Sequence, residues 1–409
     1  MSTVLPFHGL LPEPNKVEKV AAVPYDVVNT EEAAELAKDN MLSFLRVSRP
    51  EIELEEGIDL HADKVYDKAA ENFKRLCKTA PLTLDKEGRI YVYSQKMGNH
   101  LQIGIVGAAS AEDYDNDVIK KHEKTRKDKE DDRTRHLMTI RSHTGPVFLT
   151  YKDDAAIDAI VKEVTSTSPY FDFTAPDGIE HTLWRATTEQ SEKISGLFNN
   201  IPVLYVADGH HRSAAASRAA AQCKSENPNH SGKEDYNFFL SVIFPGSQLK
   251  ILPYNRCAHD LNGLSRNEFM SKIKEKFSVV DTDNSTPENY GEICMYIDGK
   301  WHLLKPLFDI AKLGVIEKLD VSILQDNILA PILGIEDPRT CKRIDFVGGI
   351  RGTGELEKLV DSGKGAVAFS MYPTTVEQLM DIADAGAIMP PKSTWFEPKL
   401  RDGLVSHNF

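Results

Sequence analysis

A chain of 409 residues, 41% hydrophobic and 27% charged, is long enough for two domains that each bury a core. A formal net charge of −13 argues against a broad nucleic-acid or anionic-membrane surface, because phosphate backbones are gripped by Lys and Arg. Five scattered cysteines, with no Cys-x-x-Cys pair, argue against a disulfide framework and a cysteine-only zinc site.

No stretch approaches the ~20 apolar residues of a membrane span, and the opening residues lack a basic start followed by an apolar core. A cytoplasmic protein with no membrane partner and no nucleic-acid partner is the expectation. The first residues are proline-rich and read as extended. Residues 30–39 read as a helix capped by Thr30 with acids in its first turn, and 59–77 as a second, amphipathic one. Residues 89–95 and 101–107 alternate around Gly98-Asn99, the pattern of a hairpin. The stretch 118–143 is long and charge-dense, 146–151 is a buried strand and 154–164 a short helix.

The apolar strand 201–207 runs straight into Asp208-Gly209, and an alanine-rich helix over 213–223 follows. Strand 238–244 closes that region. Beyond Tyr254 the pattern begins again, with helices expected at 265–276, 313–324 and 375–385 and strands at 293–297, 343–347 and 365–370. A boundary between 253 and 263 divides the chain into domains of 1–255 and 256–409.

The chemistry concentrates at Asp208-Gly209-His210-His211-Arg212. Gly209 lets the backbone turn sharply, and the helix that starts there offers unpaired N–H groups and the positive end of its dipole. His210, His211 and Arg212 add donors, Arg in the bidentate form suited to phosphate. Asp208 is placed to bind Mg²⁺ or to accept a hydroxyl proton. A metal site at His210 and His211 is the other reading, but adjacent side chains diverge at a helix start and no His-x₃-His spacing accompanies them.

A second constellation runs from Lys121, His122, Glu123 and Arg126 to Arg133. On one helix these side chains would converge on a polyphosphate and its metal; a solvated, salt-bridged helix explains the same charges. Near the C-terminus Pro390-Pro391 stiffens the chain before Lys392, Ser393 and Thr394, a compact donor cluster. Trp395 and Phe396 would stack on a base or anchor the tail. Tyr25 with Asp26, and Arg46, stand in loop-like surroundings that suit substrate contacts and structural roles alike. The glycine-rich turn at 348–354 departs from both the Walker and dinucleotide patterns.

The segments Val23-Pro-Tyr-Asp-Val-Val, Lys121-His-Glu-Lys-Thr-Arg, Ala207-Asp-Gly-His-His-Arg-Ser-Ala and Met389-Pro-Pro-Lys-Ser-Thr-Trp-Phe-Glu-Pro-Lys occur in the order of a family of proteins of this length and unknown function, which the chain therefore resembles. The Asp-Gly-His-His-Arg turn is also similar to that of the free L-serine kinases. That resemblance implies an α+β fold: a ParB/sulfiredoxin-like nucleotide-binding domain with insertions, then a C-terminal α/β domain that closes the site. It implies Mg²⁺ and ATP or ADP as donor, with L-serine as acceptor. Asp208 would activate the hydroxyl or hold the metal, with His210 beside it. Gly209, His211, Arg212 and Ser213 would cradle phosphates, joined by Lys121, His122, Arg126, Arg133, Lys392, Ser393 and Thr394. The serine kinases use a further glutamate as base, for which Glu123 is the candidate here. Tyr25, Asp26, Arg46 and Trp395 are the substrate-side candidates, and a homodimer is an expectation. A ParB-like nucleotide switch and a kinase of another small hydroxyl compound are the competing readings.

Overall fold

Apolar alternation and short apolar runs mature into sheets in two compact units. The computed structural model describes residues 1–80 and 82–409. One unit comprises Met1–Leu249 and Pro398–Phe409, the other Lys250–Glu397. The last twelve residues thus belong to the first unit, whereas the sequence boundary had grouped 256–409 together.

In the first unit the expected hairpin forms, Tyr91–Met97 pairing antiparallel with His100–Ser110. Both lie in a nine-stranded sheet ordered Ile119–Lys120, Leu204–Asp208, Val147–Tyr151, Phe238–Pro245, His100–Ser110, Tyr91–Met97, Glu180–Arg185, Phe171–Thr174, with Val4–Leu5 added on His100–Ser110. Val147–Tyr151 runs parallel to Phe238–Pro245 and antiparallel to Leu204–Asp208. Val147–Tyr151 is buried throughout and Leu204–Asp208 up to its last residue, the pattern of a sheet covered on both faces. Leu149, Val206 and Ile243 share one core with Ile157, Ile194 and Phe198 from the flanking helices. Ala214, Ala216 and Ala220 join it from the helix His210–Glu226, their small side chains letting that helix lie close to the strands.

A second core in this unit gathers Ala33, Ala37, Leu45, Ala69, Phe73 and Leu76. Its first helix, Thr30–Ala37, is capped by Asn29 rather than Thr30: the Asn29 side chain accepts from Glu32 N at 2.8 Å, and Glu32 returns a bond to Asn29 N at 2.9 Å. The helix expected from 59 starts instead at Asp63 and runs to Thr79.

The charged stretch is not one helix. Ile119–Lys120 pairs parallel with Leu204–Asp208, a loop follows, and the helix begins only at Lys127 and ends at Ile140. The reason is local: the backbone N–H groups of His122 and Arg126 bond to imidazoles of the helix His210–Glu226, at 3.5 and 3.2 Å, and so are not available to a helix of their own.

The second unit is a six-stranded sheet ordered Phe277–Thr282, Lys300–Pro306, Ile293–Ile297, Val367–Met371, Tyr254–Ala258, Ile344–Gly348. Every pair is antiparallel, so this is not the alternating α/β layout expected for the C-terminal half. Phe269 and Ile273 from the helix Arg266–Lys274 pack with Phe277, Met295, Leu304 and Phe369 in its core. The helix expected over 313–324 reduces to Asp320–Leu324, continued by a wide π turn over Gln325–Leu329; Gly314 and a separate turn at Ile310–Lys312 precede it. Lys250–Leu252 and Trp395–Glu397 pair antiparallel as a small clasp within this unit. Among the described residues no helix is long and apolar enough to cross a membrane, and the five cysteines are free.

Candidate functional site

The strand Leu204–Asp208 ends in a bulge: Val206 faces Leu149 and Asp208 faces Phe148, leaving Ala207 as the extra residue. Gly209 then takes φ +97° as the helix cap, a conformation that costs an L side chain dearly, and a Cβ there would sit 3.1 Å from Arg212 Nε. The first intrahelical bond is Ser213 N to Gly209 O, so the amides of His210, His211 and Arg212 precede the ladder.

Arg212 is only 8% exposed. Its Nη1 donates to Pro146 O at 2.5 Å and its Nη2 to Asp208 Oδ2 at 3.3 Å, while Nε has no partner. Lys399 Nζ reaches the same Asp208 oxygen at 3.5 Å. Burial pushes the Asp208 carboxyl up, but Lys399, Arg212 and His210 outweigh it and hold the group at about 2. A carboxylate held so low is a fixed charge and a weak proton acceptor, which narrows the two roles open to Asp208 to the electrostatic one.

His210 is buried, its ring meeting His122 edge-on at 4.4 Å. Its Nε2 accepts from His122 N, which assigns the proton to Nδ1, and Nδ1 faces Glu123 Oε2 at 4.0 Å. Burial first, then His122, His211 and Arg212, keep the imidazole well below its usual 6.5 against the pull of Asp208. His122 is likewise lowered, to about 4, by burial. Both rings are neutral at pH 7. His211 is half-buried and accepts from Arg126 N through Nε2.

Other sequence candidates have different partners. Ser213 is fully buried and spends its hydroxyl on Gly209 O at 3.1 Å. Lys121 pairs with Asp117 at 2.7 Å and lies over the Tyr114 ring, and Arg126 pairs with Asp128 at 2.8 Å. Arg46 uses all three nitrogens on Glu53, Asn40 O and Ala37 O, which is a structural role. Lys392, Ser393, Thr394 and Trp395 belong to the second unit. There Ser393 donates to Pro390 O, Lys392 adopts φ +57° with its ammonium over the Tyr254 ring, and Trp395 donates to Glu397.

Arg133 and Tyr25 do come to the turn. The guanidinium stacks over the Tyr25 ring at 4.1 Å, and Asp132 holds it at 2.7 Å. They line a cavity together with Arg212, His136, His143, Thr144, Gly145 and Asp402. Asp26, exposed next to Tyr25, acts on the charges of Arg212, His211 and Asp402. Lys399 and Asp402 were not among the sequence candidates; only the docking composition of the tail pointed toward them. Among the described residues no group of three or more His, Cys, Asp or Glu side chains is arranged for a metal ion. A lone carboxylate suffices for Mg²⁺ that arrives on nucleotide phosphates, and Asp208 fits that use.

The model of the family described as Protein of unknown function (DUF1015) matches residues 4–322. No curated protein matches the chain. Among solved structures, a free serine kinase in complex with AMP is 14% identical, with TM-score 0.33, over 68% of this chain and 84% of that one. A conserved hypothetical protein from Pyrococcus furiosus is 14% identical, TM-score 0.33, over 72% and 92%. SbnI with a C-terminal truncation from Staphylococcus aureus is 11% identical, TM-score 0.38, over 73% and 85%. At such scores these likenesses do not bear on the chemistry.

Proposed function

The chain belongs to the DUF1015 family, and from the turn that its matched region contains we propose that it is a nucleotide-dependent kinase of a small hydroxyl amino acid, L-serine, yielding O-phosphoserine. One observation carries the reading: Asp208, Gly209 at φ +97°, the open amides of 210–212 and the Arg212 guanidinium meet at the start of one helix, with Lys399 on the same carboxylate. Strand end, glycine turn and helix dipole together suit the phosphates of ATP or ADP. The resemblance of the Asp-Gly-His-His-Arg turn to that of the free serine kinases supplies the acceptor and the finer fold assignment, a ParB/sulfiredoxin-like core.

Phosphoryl transfer asks a protein chiefly for position and charge. In this reading the amides and Arg212 orient the phosphates, Asp208 holds Mg²⁺ when the nucleotide brings it, and Lys399 follows the charge that develops on transfer. Mg²⁺ supplies neutralisation of the phosphate oxygens when bound. His210, neutral with its proton on Nδ1, keeps Glu123 near the turn.

The test is to incubate the protein with Mg-ATP, then Mg-ADP, against a panel of hydroxyl amino acids and polyols. O-phosphoserine that disappears in Asp208→Asn is the expected result. Nucleotide binding with no transfer to any acceptor would replace the kinase with a nucleotide-binding switch.

A further inference from the structure

The cavity behind Arg212 contains a carboxylate with no bond of its own. Asp402 is 3% exposed, yet its side chain makes no hydrogen bond or ion pair among the described residues. Its backbone is fixed, pairing with Ala22 in both directions at 2.9 and 3.1 Å. A carboxylate so buried ordinarily has partners, because its desolvation is costly. Gly145 supplies the space: a Cβ there would lie 3.0 Å from Asp402 Oδ1 and 3.6 Å from Arg212 Cδ. The carboxylate and the arginine therefore flank one gap, and the same arginine touches Asp208 on the phosphate turn.

We propose that Asp402 is the catalytic base of the transfer: the acceptor enters the cavity beside Gly145 and gives its hydroxyl proton to the Asp402 carboxylate. The inference rests on the kinase reading. The acceptor oxygen bonds to the terminal phosphorus of the nucleotide, the bond from that phosphorus to the bridging oxygen breaks, and the leaving nucleotide keeps the electron pair. The proton moves to Asp402 and from there to solvent.

Alternatives within reach fit less well. Asp208 is tied to two cations, and Glu123 lies half-exposed against His210. Burial suits Asp402 to be a proton acceptor that works near neutrality. Burial raises its carboxyl to about 7, Arg212, Arg133 and Arg401 opposing and Asp26 assisting. The other titratable groups lining the cavity do not change charge there. Tyr25 is pushed to about 12, His136 is lowered to about 4, His143 lies well below its usual value, and Arg133 and Arg212 are raised.

The experiment is a pH profile of phosphoserine formation from Mg-ATP and L-serine by the full chain and by Asp402→Asn, Asp402→Glu and Gly145→Ala. Wild-type kcat is expected to rise about tenfold per pH unit below about 7 and then level, the behaviour of a base that must be ionised. Asp402→Asn should lower kcat by about 100-fold or more and flatten that limb, with the KM for ATP unchanged. Asp402→Glu keeps a limb, and decides the matter if the asparagine variant does not fold. Gly145→Ala should raise the KM for serine and leave that for ATP. A variant Asp402→Asn with the wild-type limb, or one that changes only the serine KM, overturns the base assignment and leaves the kinase standing. No transfer by the wild-type protein to any acceptor overturns both.

Discussion

Replacing Lys399 by Met tests the electrostatics of the turn directly. In the folded chain the Asp208 carboxyl is held at about 2, against an ordinary 3.8. At about 1.4 kcal/mol per pH unit, that difference is worth roughly 2 kcal/mol at pH 7. The sign follows from the depressed value. The stabilisation is complete above the unfolded carboxyl's range and is lost as pH falls through the folded value, so its window is about pH 4 to 2. Lys399 makes the largest attractive contribution, and without it burial is opposed by Arg212 and His210. Lys399→Met should therefore cost up to roughly 2 kcal/mol at pH 7, which for a unit of this size lowers its thermal transition by up to about 8 °C. Calorimetry at pH 7 and pH 3 reads it, and the penalty at pH 3 should be about half. An equal penalty at both pH values would refute the ion pair as its cause. No penalty at either would show that the charge on Asp208 is held by something else.

Gly209→Ala forces an alanine to φ +97° with its Cβ 3.1 Å from Arg212 Nε, so a loss of about 1–3 kcal/mol is expected by denaturation, with weaker nucleotide binding by calorimetric titration. Asp320, buried in the second unit and accepting from Gly291 N at 2.8 Å, has its carboxyl raised to about 7 by burial. Its ionisation costs stability from the unfolded carboxyl range up to about 7, so Asp320→Asn should raise the thermal transition at pH 8 and leave it unchanged at pH 4. Arg256 is buried, donates to Tyr254 O and Lys392 O, and is lowered to about 10 by burial. Arg256→Met strands both carbonyls, and should cost about 2 kcal/mol in denaturation and speed proteolysis around residues 388–394.

What was legible in the sequence was local. The run into Asp208-Gly209 and the alanines after Arg212 describe a strand, a glycine turn and a helix, because each follows from its neighbours in the chain. The structure extends that helix back to His210 and forward to Glu226. Lys121, Glu123 and Arg126 were misplaced on a helix, since the imidazoles that capture the His122 and Arg126 amides come from residues 210 and 211. Asn29 displaced Thr30 as cap because the reciprocal bond needs a glutamate three residues on, and Glu32 meets that spacing from Asn29. Asp402 gave no signal in its own neighbourhood. Its meaning depends on Gly145 and Arg212, neither of which is near it in the chain.

The Asp208–Lys399 ion pair also dictates an order of events during synthesis. The glycine turn at 208–212 emerges from the ribosome while its second cation is still unmade, and all of 250–397 must be translated before Pro398–Phe409 can join the first unit. Until then Asp208 has Arg212 for company, and the cavity lacks the carboxylate of Asp402. Completion of the pocket is thus a late, long-range closure, the kind that loop entropy slows. A nascent chain would carry the turn without the finished site.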